Sequence, residues 1–256
     1  HTQYKRNGKT EGKIDCFMSF PFPQQFSLFT NAKIGHVEIS KMLPLRINDT
    51  NLRQLSTLLH GCSIDKFTLF FDEISIHNLH LLPSFLARFH VKHVEFSLLS
   101  STKDLIPHFV FGKFANSLVK SGVREVTFSG QTYRAIPNSR PSSVFDFLLV
   151  LFSAGITTIS VLPHTLQFNG ITAEPFEALT LNLAKLSRPL RLQLELGFDI
   201  SLLNCGRRSM DGGFVDVNYS PHGYGQIITA EFTSEQQRNV QAITSDERPM
   251  KQCRIL

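Results

Sequence analysis

The sequence twice places a histidine two residues before a glutamate, at His36-Val37-Glu38 and at His93-Val94-Glu95. Imidazole and carboxylate groups bind zinc and act together as general acids and bases, and alternate residues of a strand share one face. The sequence also predicts a strand carrying Lys66 and Thr68 between the two pairs, which would hold them about 9.6 Å apart. Four ligands could not then close around an ion at bonds of about 2 Å. The spacing therefore predicts no metal site, and we interpret both pairs as part of a solvated strand face.

Other catalytic motifs are absent from the sequence, which has no nucleophile elbow, P-loop, dinucleotide-binding glycine motif or HExxH zinc motif. We therefore expect a non-enzymatic protein with no catalytic residue and no cofactor. The alternative is a hydrolase or transferase with a pocket in the irregular region 205–224. That alternative requires Cys205 or His222 to lie in a cleft with a perturbed pKa.

The cysteines Cys16, Cys62, Cys205 and Cys253 form no CxxC motif. This usage favours a reducing, intracellular setting, either cytoplasmic or nuclear. Cys253 begins a C-terminal tetrapeptide that partly matches the prenylation box, but Arg254 occupies a position that is usually aliphatic, so we expect an unmodified tail. The first residue is His1, and we expect the chain to be a fragment or a processed product.

A six-residue phrase, apolar-x-x-apolar-x-apolar, recurs every 27 to 33 residues, at 34–39, 64–69, 91–96, 123–128 and 156–161. Segments of helical periodicity follow these copies, at about 50–60, 81–90, 105–120, 144–154 and 176–186. Gly61, Gly122 and Gly155 stand where left-handed helix stops are expected. Strands joined by helical crossovers predict parallel pairing, and 190–196 is predicted to be a sixth strand.

The phrase resembles the LxxLxL strand signature of the leucine-rich-repeat superfamily, and its unit length is closest to the ribonuclease-inhibitor-like branch. Val, Ile and Phe replace leucine at most positions. The asparagine typical of that family is replaced by Met42, Asp72, Leu99, Gln131 and His164. The irregular units and Phe-rich helices are similar to the repeat regions of nematode F-box proteins. The resemblance covers 31–197. It implies the substrate-recognition part of a ubiquitin ligase adaptor, whose upstream F-box would bind a Skp-like adaptor subunit.

The predicted fold class is α/β, a leucine-rich-repeat-like solenoid arc of about six parallel strands backed by helices, with an irregular C-terminal β cap. Residues 1–30 are expected to form a partly disordered arm and 31–200 the solenoid. Residues 201–233, with strands at 214–219 and 226–232, are expected to form a β-hairpin cap. Residues 234–256 are expected to form a flexible tail.

The apolar positions of the phrase should face the helices, which leaves their polar neighbours on the open, concave face of the sheet. Across six strands these neighbours would form a polar strip roughly 24 Å wide, which suits a protein ligand better than a metabolite. The predicted partner-binding residues are His36, Glu38, Lys66, Thr68, Phe70, His93, Glu95, Glu125, Thr127, Arg191 and Gln193.

Charge patterning bears on the class of partner. Residues 1–13 carry +3 of the net charge of +5, which predicts a basic arm and disfavours nucleic acid as the main partner. An alternative is a nucleic-acid contact through that arm. On the concave face, glutamates outnumber Lys66 and Arg191, which favours a mixed or mildly basic protein. The apolar stretch 144–163 contains Asp146 and divides into a helix and a strand, so no membrane span is predicted.

Overall fold

The computed structural model describes residues 13–16, 33–39, 48–71, 78–98, 108–130, 141–162, 173–196, 206–210, 213–222 and 225–234. These ranges contain one ten-stranded sheet and a set of helices. Residues 235–256 of the predicted tail and most of the predicted arm at 1–30 lie outside the described residues.

The sheet is mixed and mostly parallel. Its strands are β1 (Lys13–Cys16), β2 (Lys33–Ile39), β3 (Ser63–Phe71), β4 (His93–Leu98), β5 (Glu125–Gly130), β6 (Thr158–Val161), β7 (Leu190–Leu196), β8 (Gly206–Met210), β9 (Gly213–His222) and β10 (Gly225–Ser234). Strands β1 to β7 lie side by side in chain order and pair in parallel. Strand β10 pairs antiparallel with β7, and β9 and β8 follow it at the far edge. The sheet is therefore open, with β1 and β8 at its two edges.

Helices connect the parallel strands, as the repeat predicts. They are α1 (Asp49–Leu58), α2 (Leu82–Arg88), α3 (His108–Lys120), α4 (Pro141–Ala154) and α5 (Ala173–Ala184), and a 3-10 turn (Leu79–Leu81) precedes α2. Each predicted helix is present, with ends within about three residues of the expected ones, which is the usual uncertainty of helix boundaries. Among the described residues no helix has both the length and the apolar character that a membrane crossing requires. The predicted α/β class is confirmed.

The strand register follows the repeat phrase. Val37 pairs with Phe67, Phe67 with Val94, Val94 with Val126, and Val126 with Ile159. All five side chains are buried in the core on the helix side of the sheet. Predicting this row was possible because the period of two along a strand fixes which residues share a face.

The core is a continuous layer between the sheet and the helices. Phe67 of β3 contacts Phe85 of α2 at a centroid distance of 5.3 Å, and Phe128 of β5 contacts Phe147 of α4 at 5.4 Å. Burying apolar area contributes roughly 25 cal/mol per Å², so this layer is the main stabilising term. It also leaves the opposite face of the parallel strands without a covering helix among the described elements.

Two edge strands depart from the sequence prediction. Strand β1 lies within the segment predicted to be an arm, and pairs Ile14 with Val37, so seven parallel strands replace the predicted six. Strand β8 adds a third antiparallel strand to the predicted hairpin of β9 and β10. Its sequence, Gly-Arg-Arg-Ser-Met, lacks apolar alternation, so its backbone pairing with β9 is what makes it a strand.

The predicted glycine stops are confirmed. Gly61, Gly122 and Gly155 have φ of 73°, 102° and 125°, in the region that side chains with a Cβ rarely adopt. Each residue ends a helix and turns the chain into the next strand. At Gly155 packing adds to the conformational demand, because a Cβ there would lie 2.9 Å from Cγ1 of Val119 on α3.

We expect Gly155→Ala to lower the free energy of unfolding by about 1 to 2 kcal/mol, since the left-handed backbone and the Val119 contact both oppose a Cβ. Gly122→Ala, where a Cβ meets nothing within 4 Å, should show the backbone cost alone and lose less. Gly112→Ala, in a helical position equally open, should gain about 0.5 to 1 kcal/mol. Urea denaturation of the three variants measures this order, and equal losses at Gly155 and Gly122 would exclude the Val119 contact as a cause.

Candidate functional site

Polar side chains form continuous rows across the parallel strands, on the face opposite the core. The first row joins His36, Lys66, His93, Glu125, Thr158 and Arg191 by successive pairing of β2 to β7. The second row joins Glu38, Thr68, Glu95, Thr127, Ser160 and Gln193. The structure therefore brings together the predicted residues of both rows. Phe70 pairs with Ser97 in the third row, but its side chain lies outside the described residues.

Glu95 is the centre of a hydrogen-bond network on this open face. Its Oε2 lies 2.6 Å from Nζ of Lys66 and accepts a 3.4 Å hydrogen bond from Oγ1 of Thr68. Its Oε1 accepts a 2.8 Å hydrogen bond from Oγ of Ser129. The side chain is only 15% exposed, so Glu95 is a structural carboxylate and not the solvated one that the sequence predicts.

The two His-x-Glu pairs repeat one contact. Nε2 of His36 lies 2.8 Å from Oγ1 of Thr68, and Nε2 of His93 lies 2.8 Å from Oγ1 of Thr127. Each bond runs diagonally to the next strand, and both threonines are buried. The Thr68 hydroxyl has one proton and donates it to Glu95, so it accepts from Nε2–H of His36. The histidines thus satisfy buried hydroxyls.

The network shifts the protonation of its members. Burial, with the Lys66 ammonium next in size, lowers the pKa of His93 from 6.5 to about 4, although Glu95 acts in the opposite direction. Burial alone would raise the pKa of Glu95, but hydrogen bonds from Lys66 and Ser129 outweigh it and hold that pKa below its ordinary value. At neutral pH the centre of the face therefore carries a neutral imidazole beside a Lys–Glu ion pair.

The exposed charges of the face lie around this centre. Glu125 is 50% exposed, and its Oε2 is 3.8 Å from Nδ1 of His93. Arg191 is 55% exposed, and its Nε is 3.5 Å from Oε1 of Glu231 on β10. These side chains are available to a partner at lower cost than Glu95, because contacting them breaks no buried hydrogen bond.

The antiparallel strands extend the first row beyond the predicted residues. Arg191 pairs with Glu231, Glu231 with Asp216, and Asp216 with Arg207. The guanidinium of Arg207 lies 4.6 Å from the ring centroid of Phe214. Sequence reasoning did not include Glu231, Asp216 or Arg207. The apolar alternation in 226–232 indicates on which face of its strand Glu231 lies. It does not indicate which residue pairs with Glu231, because the register of an antiparallel neighbour depends on the turn between β9 and β10.

No cluster of three or more His, Cys, Asp or Glu side chains arranged to hold a metal occurs among the described residues. A groove of about 530 Å³ between α3 and α4 has Asp146, Asn116 and Ser153 among its described lining residues, with no histidine or cysteine. The alternative site at 205–224 depends on Cys205 and on the side chain of His222, and both lie outside the described residues.

No protein-family model matches the chain, and no curated protein or solved structure is significantly similar to it. The resemblance to leucine-rich-repeat proteins therefore stays a prediction made from the sequence.

Proposed function

We propose that the protein is a non-enzymatic recognition module that binds a protein ligand through the open polar face of its sheet. The single observation that carries this proposal is the pair of polar rows that run without interruption from β2 to β7. We further propose that the repeating units form a leucine-rich-repeat-like solenoid arc, with these rows on its concave side. Sequential parallel strands, joined by helices that pack on the other face, are what such an arc requires.

The composition of the face supports a protein partner over a metabolite. Its centre is held in place because Thr68 and Ser129 both donate hydrogen bonds to Glu95, and its exposed charges have both signs. Interfaces of this kind take their specificity and association rate from electrostatic complementarity. A polar strip roughly 24 Å wide over six strands also differs from the enclosed apolar pocket typical of small-molecule sites.

The F-box assignment rests on the sequence resemblance. In this proposal the open face presents a substrate to a ubiquitin ligase, and an F-box upstream of residue 1 binds the Skp-like adaptor subunit. Such a role requires the cytoplasm or nucleus, the setting that the lack of CxxC motifs in the sequence favours. Sequencing the transcript upstream of the His1 codon tests this half of the proposal, since a reading frame without an F-box would exclude it.

The open face is tested by charge reversal at one exposed residue. We expect Glu125→Lys to weaken the complex about three- to tenfold, because it inverts an exposed charge next to the centre of the face without breaking the Glu95 network. The measurement is quantitative capture from an extract by the immobilised chain, followed by calorimetric titration of each purified captured protein.

The matched control is Asp146→Lys, which makes the same change of charge at an exposed residue of α4 on the helix side. It should bind as the wild type does. Equal affinities for the Glu125 and Asp146 variants would argue against the open face, as would the absence of any protein enriched over the uncoupled matrix. Glu95→Lys is unsuitable, because a second cation beside Lys66 would destabilise the fold.

A further inference from the structure

Basic side chains cluster along the side of the sheet at which the parallel strands begin, just after the helices end. The connections at 87–92, 119–124, 153–157 and 184–189 contain no aspartate or glutamate. Three of them carry a basic residue at the helix end and another just before the strand. We call these residues the basic edge, which consists of Arg88, Lys92, Lys120, Arg124, Lys185 and Arg188. Its charge of about +6 exceeds the +5 of the whole chain, so the remaining residues are nearly balanced.

Backbone hydrogen bonds place these connections side by side. The amide of Arg124 donates to the carbonyl of Lys92 at 2.9 Å, and the amide of Thr157 donates to the carbonyl of Arg124 at 2.8 Å. The amide of Arg191 donates to the carbonyl of Thr157 at 2.8 Å. Four neighbouring strands span about 14 Å, so the edge is a short, dense row of positive charge.

Part of this charge has a structural role. Nη1 of Arg124 donates a 2.9 Å hydrogen bond to the carbonyl of Val119 near the end of α3, and Nη2 of Arg188 donates to the carbonyl of Phe152 in α4. Cations at such positions satisfy helix C-terminal carbonyls and favour the negative end of the helix dipole.

The other four cations make fewer contacts. Arg88 and Lys120 lie in the last turns of α2 and α3, where a cation also favours the helix dipole, and Nζ of Lys185 donates a 3.3 Å hydrogen bond to Oδ1 of Asn182. Arg88, Lys92, Lys120 and Lys185 are exposed, and the described part of the chain pairs none of them with a carboxylate. Concentrated positive charge of this kind costs self-repulsion unless a partner neutralises it.

We infer that the basic edge is a second interaction surface, separate from the open face, and that it binds an acidic, Asp/Glu-rich segment of a protein partner. Nucleic acid is the weaker match, because specific and non-specific DNA binding commonly uses 6–10 phosphate contacts and single-stranded binding uses exposed aromatic rings. Here about four cations remain available, and the edge aromatics Phe89 and Phe152 are buried. A membrane surface would need an apolar face, and Leu181 is the one large apolar side chain exposed in the described segments.

The test measures fluorescence anisotropy of a labelled peptide of about eight glutamates with the full chain at low salt. We expect Lys92→Glu/Lys120→Glu to weaken peptide binding about tenfold, and added salt to weaken wild-type binding. The matched control, Arg53→Glu/Lys113→Glu, makes the same charge change on exposed helical residues. Lys113 lies on the same helix as Lys120, about 10 Å along its axis, and the control should bind within about twofold of the wild type.

Several outcomes would overturn the inference. These are equal weakening in both double variants, no measurable binding by the wild type, and tighter wild-type binding to a thymidine oligonucleotide of similar length or to phosphatidylserine vesicles. Circular dichroism shows whether each variant is folded. If Lys92→Glu/Lys120→Glu does not fold, the neutral variant Lys92→Gln/Lys120→Gln is measured in its place. The edge variants leave Glu125 and Arg191 unchanged, so they should retain an open-face partner even when the peptide is lost.

Discussion

Leu183→Ala is expected to lower the free energy of unfolding by about 2 to 5 kcal/mol, the range for deleting a buried leucine side chain from a packed core. Leu183 is fully buried, and with Phe176, Leu179 and Thr180 it forms the stripe by which α5 packs on the core. The spacing of these four residues, i, i+3, i+4 and i+7, is that of one helix face. Removing the side chain loses its transfer free energy and leaves a cavity that the rigid sheet cannot fill. Urea denaturation followed by circular dichroism measures the loss.

Leu181 on the same helix is the matched control. It is 54% exposed, so Leu181→Ala deletes the same atoms two residues away and should change the free energy of unfolding by no more than about 0.5 kcal/mol. Helix propensity cancels in the comparison, since both variants replace leucine by alanine within α5. If the two variants lost equal stability, α5 would not pack by the face that contains Leu183, and the layer of helices would need another arrangement.

The parallel half of the sheet could be predicted from the sequence because two independent signals agree there. The period-two pattern fixes which face of each strand is buried, and Gly61, Gly122 and Gly155 fix where three of the helices end. Together they define the register that joins Val37 to Ile159 across five strands. A fold can be predicted from sequence where local preferences and long-range packing favour the same arrangement.

The edge strands could not be predicted, since their strand character comes from pairing. Lys13–Cys16 is a four-residue strand, and Gly206–Met210 has exposed or partly exposed residues throughout. Four residues are too few to show a clear apolar alternation, and Gly206–Met210 has none. Each lies at an edge, where a neighbouring strand supplies the hydrogen bonds.

The sequence predicts on which face of the sheet the candidate site residues lie, but not how deeply their side chains are buried. Sequence reasoning placed Thr68, Glu95 and Thr127 on the polar face, and the strand register confirms their rows. It could not show the hydrogen bonds that these side chains make diagonally to the neighbouring strand. Such contacts depend on side-chain rotamers and on sheet twist. The basic edge was missed for another reason. Its residues are paired locally in sequence, as Arg88 with Lys92 and Lys120 with Arg124, but only the topology places those pairs next to one another.

The neutral His93 at the centre of the open face should make stability depend on pH above the range in which carboxylates titrate. Its neighbours are Lys66, Glu95 and His36, and Glu125 lies 3.8 Å from its Nδ1. Burial lowers its pKa from 6.5 to about 4. Between these two pH values His93 is therefore mostly protonated in the unfolded chain and mostly neutral in the folded chain. The stabilisation is fully present above pH 6.5 and is lost as the pH falls from there towards 4.

Wild-type protein is therefore expected to lose about 2 kcal/mol of unfolding free energy through His93 between about pH 7.5 and pH 5, on the order of RT times the logarithm of the proton-binding ratio. In His93→Gln this part of the pH dependence should vanish, although the variant also loses the Thr127 hydrogen bond at every pH. His60→Gln, at an exposed histidine, should keep the wild-type dependence. Urea denaturation at the two pH values gives the difference for each protein. If His93→Gln lost as much stability on acidification as His60→Gln, the side chain of His93 would be solvated, and the polar centre of the face would not be the rigid, largely buried network from which the binding proposal is argued.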